Sequence, residues 1–170
     1  ILGYIYGILS SKKYRERYAS KLKLDFPGIP LTKSQELFSS IAELGKDLLR
    51  CHLLENIESS LQAPKFNSPV GDEIEKVSYS DGTVWINRSK TTGFHDVSED
   101  VWNFRIGSYQ VCEKWLKDRQ ARTGKAPRPG HLLTKEDVKH YQKIVMTLSE
   151  TIRIMAEIDE VIEAHGDWPD

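Results

Sequence analysis

The chain contains little that could form a reactive or metal-binding centre. It has two cysteines, Cys51 and Cys112, with no CxxC pair and no histidine at the spacing of metal ligands. Such isolated thiols are typical of core positions in a reducing compartment, so we predict free thiols and no zinc site. The glycine-rich, Walker, HExxH and GxSxG motifs of nucleotide, metalloprotease and hydrolase sites are also missing. We therefore predict neither a catalytic residue nor a metal ligand in this chain.

Long apolar runs are missing as well. No stretch approaches the roughly 18 apolar residues of a membrane span, and residues 1–9 lack the flanks of a signal peptide. With 39% hydrophobic and 29% charged residues, the composition is that of an ordinary globular protein. We expect one cytoplasmic domain over residues 1–170, without a membrane partner. Because the sequence enters an apolar pattern directly at Ile1, we expect it to be a segment of a larger protein.

An overall excess of positive charge is likewise absent. The 24 lysines and arginines are offset by 25 acidic residues, which gives a formal net charge of −1. Any contact with nucleic acid must therefore depend on local clusters. Residues 12–23 carry six cations against Glu16, and residues 114–128 carry six against Asp118. Solvated helix faces have similar clusters, so both interpretations remain open at this point.

Apolar residues recur at helical spacing in four parts of the chain. These parts are residues 1–22, 32–61, 108–119 and 134–165. Thr32 with Gln35, and Thr134 with Asp137, are predicted to form reciprocal caps at the start of the second and last helices. Gly45 indicates close contact with a neighbouring helix. The last helix must bury one face along much of its length, which predicts a helical scaffold.

A β-hairpin is predicted around Asp81-Gly82, because glycine accepts the positive φ of a two-residue turn. The implied pairs are Ser80 with Thr83, Tyr79 with Val84, Ser78 with Trp85, and Val77 with Ile86. One face of this hairpin is apolar and should lie on the core. Trp85 falls on the other face, where we favour packing under a loop over a place at a binding surface. Residues 91–97 have a turn-like composition.

Proline and glycine divide the remaining sequence. Pro27 and Pro30 prevent a continuous helix through residues 24–31, so this stretch is predicted to be a rigid strap over the core. The predicted fold is α+β and mainly α-helical, with long packed helices and a small antiparallel sheet or hairpin. The predicted parts are a helical part (1–63), a linker (64–73), a hairpin with a docking helix (74–119), a basic loop (120–133) and a long C-terminal helix (134–166).

The stretch from Val101 to Arg119 and the loop that follows it combine cations with aromatic and amide side chains. Cations neutralise phosphates, whereas tyrosine and glutamine can contact bases or simply pack the sheet against the helix. The candidate DNA-binding residues are Arg105, Tyr109, Gln110, Lys114, Lys117, Arg119, Arg122, Lys125 and Arg128. Trp102 and Trp115 are assigned to the fold.

Four motifs of the chain carry a family resemblance. They are YIYGILSSKKYRERY, DFPGIPLT, VWNFRIGSYQVCEKWLKDR and HYQKIVMTLSETIRIMAEID. In this order they resemble the C-terminal specificity region of bacterial type ISP and related single-chain restriction-modification enzymes, which are N6-adenine DNA methyltransferases. The chain departs from the family pattern at Gly28, where a basic residue is usual, and at Ser108, where a second glycine is usual.

The resemblance implies that the chain is the C-terminal part of a target-recognition domain, behind a Rossmann-like methyltransferase domain. The implied partners are that domain and double-stranded DNA, held while an adenine is flipped out. The parent enzyme would use S-adenosylmethionine with an NPPY-type motif. Since this chain has no NPPY motif, we expect no cofactor in it and no enzymatic activity by itself. The alternative is a helical interaction module that docks against other domains of the same polypeptide without contacting DNA. An enzyme with an unrecognised site is a third, weaker possibility.

Overall fold

The computed structural model describes residues 1–55, 62–68, 72–122, 127 and 129–166. Its helices are α1 (Leu2–Ser10), α2 (Lys12–Arg17), α3 (Ala19–Leu22), α4 (Gln35–His52), α5 (Glu99–Asn103), α6 (Val111–Lys117) and α7 (Lys135–Ala164). Its strands are β1 (Lys65–Phe66), β2 (Ser78–Ser80), β3 (Thr83–Trp85), β4 (Gly93–His95), β5 (Arg105–Ile106) and β6 (Tyr109–Gln110). The predicted fold class, α+β and mainly helical, is confirmed.

The chain divides into two compact units, which are described separately. Unit 1 comprises Ile1–Asn56 and Ser149–Asp170, and unit 2 comprises Ile57–Leu148. Helix α7 contributes its second half to unit 1 and its first half to unit 2. Among the helices that the structure describes, none combines the length and apolarity needed to cross a membrane.

The core of unit 1 depends on close packing of α1 against α4. Gly45 lies against the backbone of Gly3 and Gly7, and a Cβ atom at Gly45 would overlap the carbonyl oxygen of Gly3. The helix contact predicted from Gly45 is therefore confirmed. Isoleucines 154, 158 and 162 of α7 complete this core, and each is at most 1% exposed.

The junction of α1 and α2 is tied to α7 by a buried carboxylate. Ser11 caps α2 by accepting a hydrogen bond from the amide of Tyr14 at 3.0 Å. The same hydroxyl donates to Asp159, whose second oxygen lies 3.4 Å from the amide of Lys13. A buried carboxylate is tolerated when its oxygens are hydrogen-bonded, so this contact fixes the start of α2.

The strap at residues 24–31 is not helical, as predicted. Two tyrosine hydroxyls hold its backbone in place. Tyr4 donates to the carbonyl oxygen of Pro30, and Tyr14 donates to that of Gly28, both at 2.7 Å. The two prolines and these two hydrogen bonds together define the path of the strap.

Both ends of α4 differ from the prediction. The cap is Ser34, whose hydroxyl accepts from the amide of Leu37 at 3.2 Å, and Thr32 instead accepts from Ser34. The helix ends at His52 and not near residue 61, and residues 56–61 lie outside the described ranges. In the turn after the helix, the amide of Leu54 donates to the carbonyl oxygen of Cys51, and the amide of Glu55 donates to that of Arg50. Leu54 has a φ of +59°. Glycine usually takes this left-handed position, so leucine there gave no stop signal.

Unit 2 contains a four-stranded antiparallel sheet of order β1-β4-β3-β2. The β2–β3 pairs Ser78–Trp85, Tyr79–Val84 and Ser80–Thr83 confirm three of the four predicted pairs, and the fourth, Val77 with Ile86, lies outside the two strands. Asp81 and Gly82 have φ values of +52° and +71°, as a type I′ turn requires. Trp85 is half-buried, and its indole nitrogen donates to Ser80 at 3.0 Å.

The expectation of a turn at residues 91–97 was wrong, because strand β4 lies there between β1 and β3. Phe94 of this strand is fully buried. Gly93 suggested a turn, but its role is close approach, since a Cβ atom there would lie 2.5 Å from the carbonyl oxygen of Val84. Strand β1 falls within the stretch 64–73, for which the sequence has no periodicity.

Helix α7 begins as the sequence predicts. The amide of Asp137 donates to the hydroxyl of Thr134 at 3.1 Å, and the amide of Thr134 donates to the carboxylate of Asp137 at 3.0 Å. This reciprocal cap satisfies two amides that the helix itself leaves without partners. The helix ends at Ala164, just before Gly166 at φ +95°.

We predict that Gly45→Ala destabilises unit 1 by about 3 kcal/mol or more, because the added methyl group would force α1 and α4 apart. The measurement is urea unfolding of the chain. The matched control is Gly28→Ala, where a Cβ atom meets nothing within 4 Å. Equal stability of the two variants would contradict the close packing.

Candidate nucleic-acid interface

A short hairpin leads directly into helix α6, which carries two of the predicted cations, Lys114 and Lys117. Its register is Arg105 with Gln110 and Ile106 with Tyr109. Gly107 in the turn has φ +59°, which glycine adopts without strain. Helix α6 begins at Val111, so the predicted helix from Ser108 was wrong for its first three residues. Two-residue strands are too short for their alternation to be recognised in a sequence.

Gln110 fastens the base of this hairpin to α5. Its side-chain amide donates to the carbonyl oxygen of Trp102 at 2.5 Å, and the amide of Val111 donates to Phe104 at 3.2 Å. The Trp102 ring is in turn stacked on Tyr79, with centroids 5.2 Å apart. The side chain of Gln110 therefore attaches the hairpin to α5. This is the packing role that the sequence offered as the alternative to a base contact.

Tyr109 and Lys114 meet on the exposed surface. The Tyr109 side chain is 59% exposed, and the ammonium nitrogen of Lys114 lies 5.8 Å from its ring centroid, within the range of a cation–π contact. Lys117 follows Lys114 by three residues and so lies on the same side of α6. We call Tyr109, Lys114 and Lys117 the hairpin–helix face. Arg105 is exposed, but it pairs with Gln110 and so projects from the opposite side of the two-strand ribbon.

Both lysines of the hairpin–helix face pair with acids four residues away, in α6 or directly after it. Lys114 contacts both carboxylate oxygens of Asp118, and Lys117 lies 2.8 Å from a carboxylate oxygen of Glu113. The hydrogen bond from Lys114 lowers the pKa of Asp118. Exposed pairs of this kind contribute only about 0.2–1 kcal/mol, so a phosphate can replace the carboxylate at little cost.

Arg119 is held inside a cluster between α6 and α7. Its guanidinium carbon lies 3.6 Å from the ring centroid of Trp115, and it donates to the Trp115 carbonyl at 3.1 Å. Its Nε atom lies 3.8 Å from a carboxylate oxygen of Asp137. The other contacts of the Trp115 ring are to His140 and Tyr141 on α7. Arg119 therefore joins the end of α6 to the start of α7.

Asp137 accepts further hydrogen bonds besides the one that caps α7. Besides the Thr134 amide, the Thr134 hydroxyl donates at 2.8 Å and the His131 ring lies 2.9 Å away. Burial alone would raise the pKa of Asp137, but these hydrogen bonds outweigh it and lower the pKa to about 2. The sequence signal found Asp137 as a cap, but nothing in it pointed to the contact with Arg119.

A small surface hollow adjoins this cluster. Its lining is Asp118, Arg119, Pro129, Gly130, His131 and Asp137. Arg122 is exposed beyond α6. Lys125 and Arg128, the last two predicted phosphate contacts, lie outside the described residues. Of the predicted site, the structure thus brings together Tyr109, Lys114 and Lys117, and separates Arg105, Gln110 and Arg119 from them.

Cys112 lies on the inner side of α6 and is fully buried. Burial raises the pKa of its thiol to about 12, so the thiol stays protonated at neutral pH. A protonated thiol is a poor nucleophile and a poor metal ligand. Cys112 therefore belongs to the core, as its position on the inner side of the predicted helix indicated.

The comparisons with known proteins bear on what this surface serves. A family model described as the Type ISP C-terminal specificity domain matches residues 1–157. The chain belongs to this family. A search of curated proteins gives no match.

Three solved structures resemble this Type ISP C-terminal specificity domain. A nuclease-deletion mutant of the Type ISP restriction-modification enzyme LlaGI in complex with a DNA substrate mimic is 22% identical with a TM-score of 0.60, over 92% of this chain and 13% of that chain. The ATP-dependent Type ISP restriction-modification enzyme LlaBIII bound to DNA is 19% identical with a TM-score of 0.58, over 99% of this chain and 11% of that chain. A DrdV–DNA complex is 25% identical with a TM-score of 0.65, over 92% of this chain and 17% of that chain. The likeness extends over nearly all of this chain but only a small part of each of those chains.

We predict that Asp137→Asn in this specificity domain removes a pH-dependent contribution to stability. Because the pKa of Asp137 is lowered to about 2, the carboxylate stabilises the fold above its unfolded pKa near 4, and this contribution is lost as pH falls through 2. Wild type should exceed the variant by about 2 kcal/mol at pH 7, and most of this difference should be lost as the pH falls from about 4 to 2. Urea unfolding monitored by tryptophan fluorescence measures it. A difference that is constant with pH would contradict the assignment.

Proposed function

We propose that this chain is the DNA-binding C-terminal part of the target-recognition domain of a restriction-modification N6-adenine DNA methyltransferase. The observation that carries the proposal is the family match over residues 1–157. The solved structures of LlaGI, LlaBIII and DrdV that resemble the chain contain DNA or a DNA mimic, which supports duplex DNA as the partner.

The hairpin–helix face is the part of unit 2 best suited to contact the DNA backbone. Lys114 and Lys117 supply two cations on one side of α6, and Tyr109 adds an exposed aromatic ring beside them. Phosphate contacts of this kind position a protein on duplex DNA and are independent of base sequence. Arg122, which is exposed beyond α6, is a further proposed phosphate contact, whereas Arg105 projects from the other side of the hairpin.

Arg119 and Gln110 act in this proposal as positioning residues. The stacking of Arg119 on Trp115 and its ion pair with Asp137 fix the orientation of α6. The amide of Gln110 fixes the hairpin on α5. Loss of either side chain would weaken DNA binding indirectly, because it would displace Lys114 and Lys117. Neither side chain would contact a phosphate itself.

Methyl transfer would take place in another domain of the same polypeptide, and S-adenosylmethionine would bind there. This chain contains neither the NPPY-type motif nor a glycine-rich cofactor loop. Its own task is to hold the duplex while the target adenine is flipped out of the helix, a step that requires a firm grip on the flanking backbone.

The second candidate is a docking module that packs against other domains and does not touch DNA. One observation favours it: Leu31, at the end of the strap, and Leu53, directly after α4, are 73% and 63% exposed. Large apolar side chains that remain in solvent are a feature of protein interfaces. The two candidates differ in whether DNA affinity depends on cations of this domain.

We predict that Lys114→Gln with Lys117→Gln in the full-length polypeptide lowers the salt dependence of binding to duplex DNA. Each lost phosphate contact reduces the slope of log K against log salt by about 0.9, so the double variant should lose about 2. The slope is measured by titration of a short duplex at several salt concentrations.

The matched control for this experiment is Lys46→Gln with Arg50→Gln on α4. These are also exposed helix cations paired with acids three residues away, so the charge change and the broken ion pairs are equivalent. The control should keep the wild-type slope. An unchanged slope for the α6 variant would remove the hairpin–helix face from the proposed interface and favour the docking module.

A further inference from the structure

Of the two basic segments of the sequence, residues 12–23 have no part in the function proposed above. We propose that it forms a second DNA-contact surface, in unit 1, where Arg17, Lys21 and Lys23 neutralise phosphates and Phe26 packs in a groove of the duplex. We call these four residues the strap face. This inference rests on the proposed function, because it takes duplex DNA as the partner.

The geometry centres on Tyr18, between α2 and α3. The guanidinium of Arg17 and the ammonium of Lys21 each lie 5.9 Å from the centroid of its ring. Lys21 and Phe26 line the same surface hollow, together with Tyr18 and the strap. Two cations and an exposed aromatic side chain are thus brought to one place on the surface.

The cations of this segment differ in how they are balanced within the protein, and Lys13 is paired with Glu163 of α7. Among the described residues, no carboxylate forms a salt bridge with Lys21 or Lys23, and the Lys12–Glu16 pair is long at 3.9 Å. Asp25 also lines the hollow, but one of its oxygens accepts the amide of Phe26 at 2.7 Å. By contrast, both lysines of the hairpin–helix face pair with acids four residues away. Lys21 and Lys23 can therefore bind phosphates without displacing a carboxylate of the described residues.

Phe26 is 94% exposed, and the neighbouring Leu24 is 88% exposed. The strap that carries them does not collapse onto the core, because its backbone is held by Tyr4 and Tyr14 and its path is limited by two prolines. Apolar side chains that are held rigidly outward beside cations are used by DNA-binding proteins as wedges against sugars and base steps.

DNA fits this combination better than an apolar protein surface does. An apolar interface that covered Phe26 would also take Lys21, which lines the same hollow, out of water. Removal of an unpaired charge from water is costly. A duplex offers apolar groove surface and phosphates together. The usual basic residue of the family is absent at Gly28, so the cations come from α2 and α3 and not from the strap itself.

The test is the salt dependence of binding to a short duplex of random sequence, measured on the full-length polypeptide. Lys21→Gln with Lys23→Gln should lower the slope of log K against log salt by about 2. Phe26→Ala should weaken binding about tenfold and leave the slope unchanged, because an apolar contact releases no counterions. Lys46→Gln with Arg50→Gln is again the matched control, and it lies in the same unit.

The outcomes separate this inference from the proposed function. A normal slope for the Lys21/Lys23 variant, with a reduced slope for the Lys114/Lys117 variant, would overturn the strap face and leave the proposed function standing. Normal slopes for both would overturn both. If Phe26→Ala bound DNA like wild type, the aromatic contact would be wrong, and a docking role of the strap would be the better account. Thermal unfolding of each variant confirms that the substituted protein is folded.

Discussion

The contact of Arg119 with Trp115 and Asp137 determines how unit 2 presents its charges. Helix α6 has only seven residues, too few to be stable alone, so its orientation must come from tertiary contacts. Trp115 supplies the apolar part of these contacts by packing on His140 and Tyr141. Arg119 and Asp137 add a polar connection on the outer side. Once α6 is held at its end by this cluster and at its start by Gln110, Lys114 and Lys117 can only point outward.

The same arrangement explains why a cation can be prominent in the sequence and still not be available to a ligand. Arg119 belongs to the basic run that ends α6, but its planar guanidinium is the group best suited to stack on an indole ring while it pairs with a carboxylate. The ammonium group of a lysine has no planar face with which to stack on the ring. Lys114 and Lys117 are compact, flexible charges with weak partners, so they can exchange a carboxylate for a phosphate. Arginine holds the structure here, and lysine remains available for binding.

Much of the fold could be predicted because local signals agree with the final structure. The Asp81-Gly82 turn fixes its own register, and Thr134 with Asp137 marks the first turn of α7 without help from distant residues. The errors have the opposite origin. Leu54 stops α4 in a conformation that glycine usually takes, and Gly93 occupies a strand because a neighbouring carbonyl leaves no room for a side chain. Neither is visible without the packing around it.

The candidate site was predictable to the same extent. Composition identifies which segments are basic, but the partner of each cation depends on the fold. The acids four residues from Lys114 and Lys117 could be predicted from the helix period, whereas the approach of Asp137 to Arg119, across eighteen residues, could not. In the other basic segment, the sequence shows the excess of cations, but only the structure shows Phe26 exposed beside Lys21.

A net charge of −1 is compatible with DNA binding by such a domain. Affinity for phosphates arises from counterions released at the contact itself, so it depends on local cations and not on the total charge. Long-range attraction does depend on the total charge, and in this chain it is nearly cancelled by acids elsewhere, such as those of α7. With this distribution of charge, long-range attraction contributes little to the encounter of the domain with DNA. In the proposed function, the domain's contribution would come only after the rest of the polypeptide has brought the duplex against its basic surfaces, which suits a part whose proposed task is recognition and not capture.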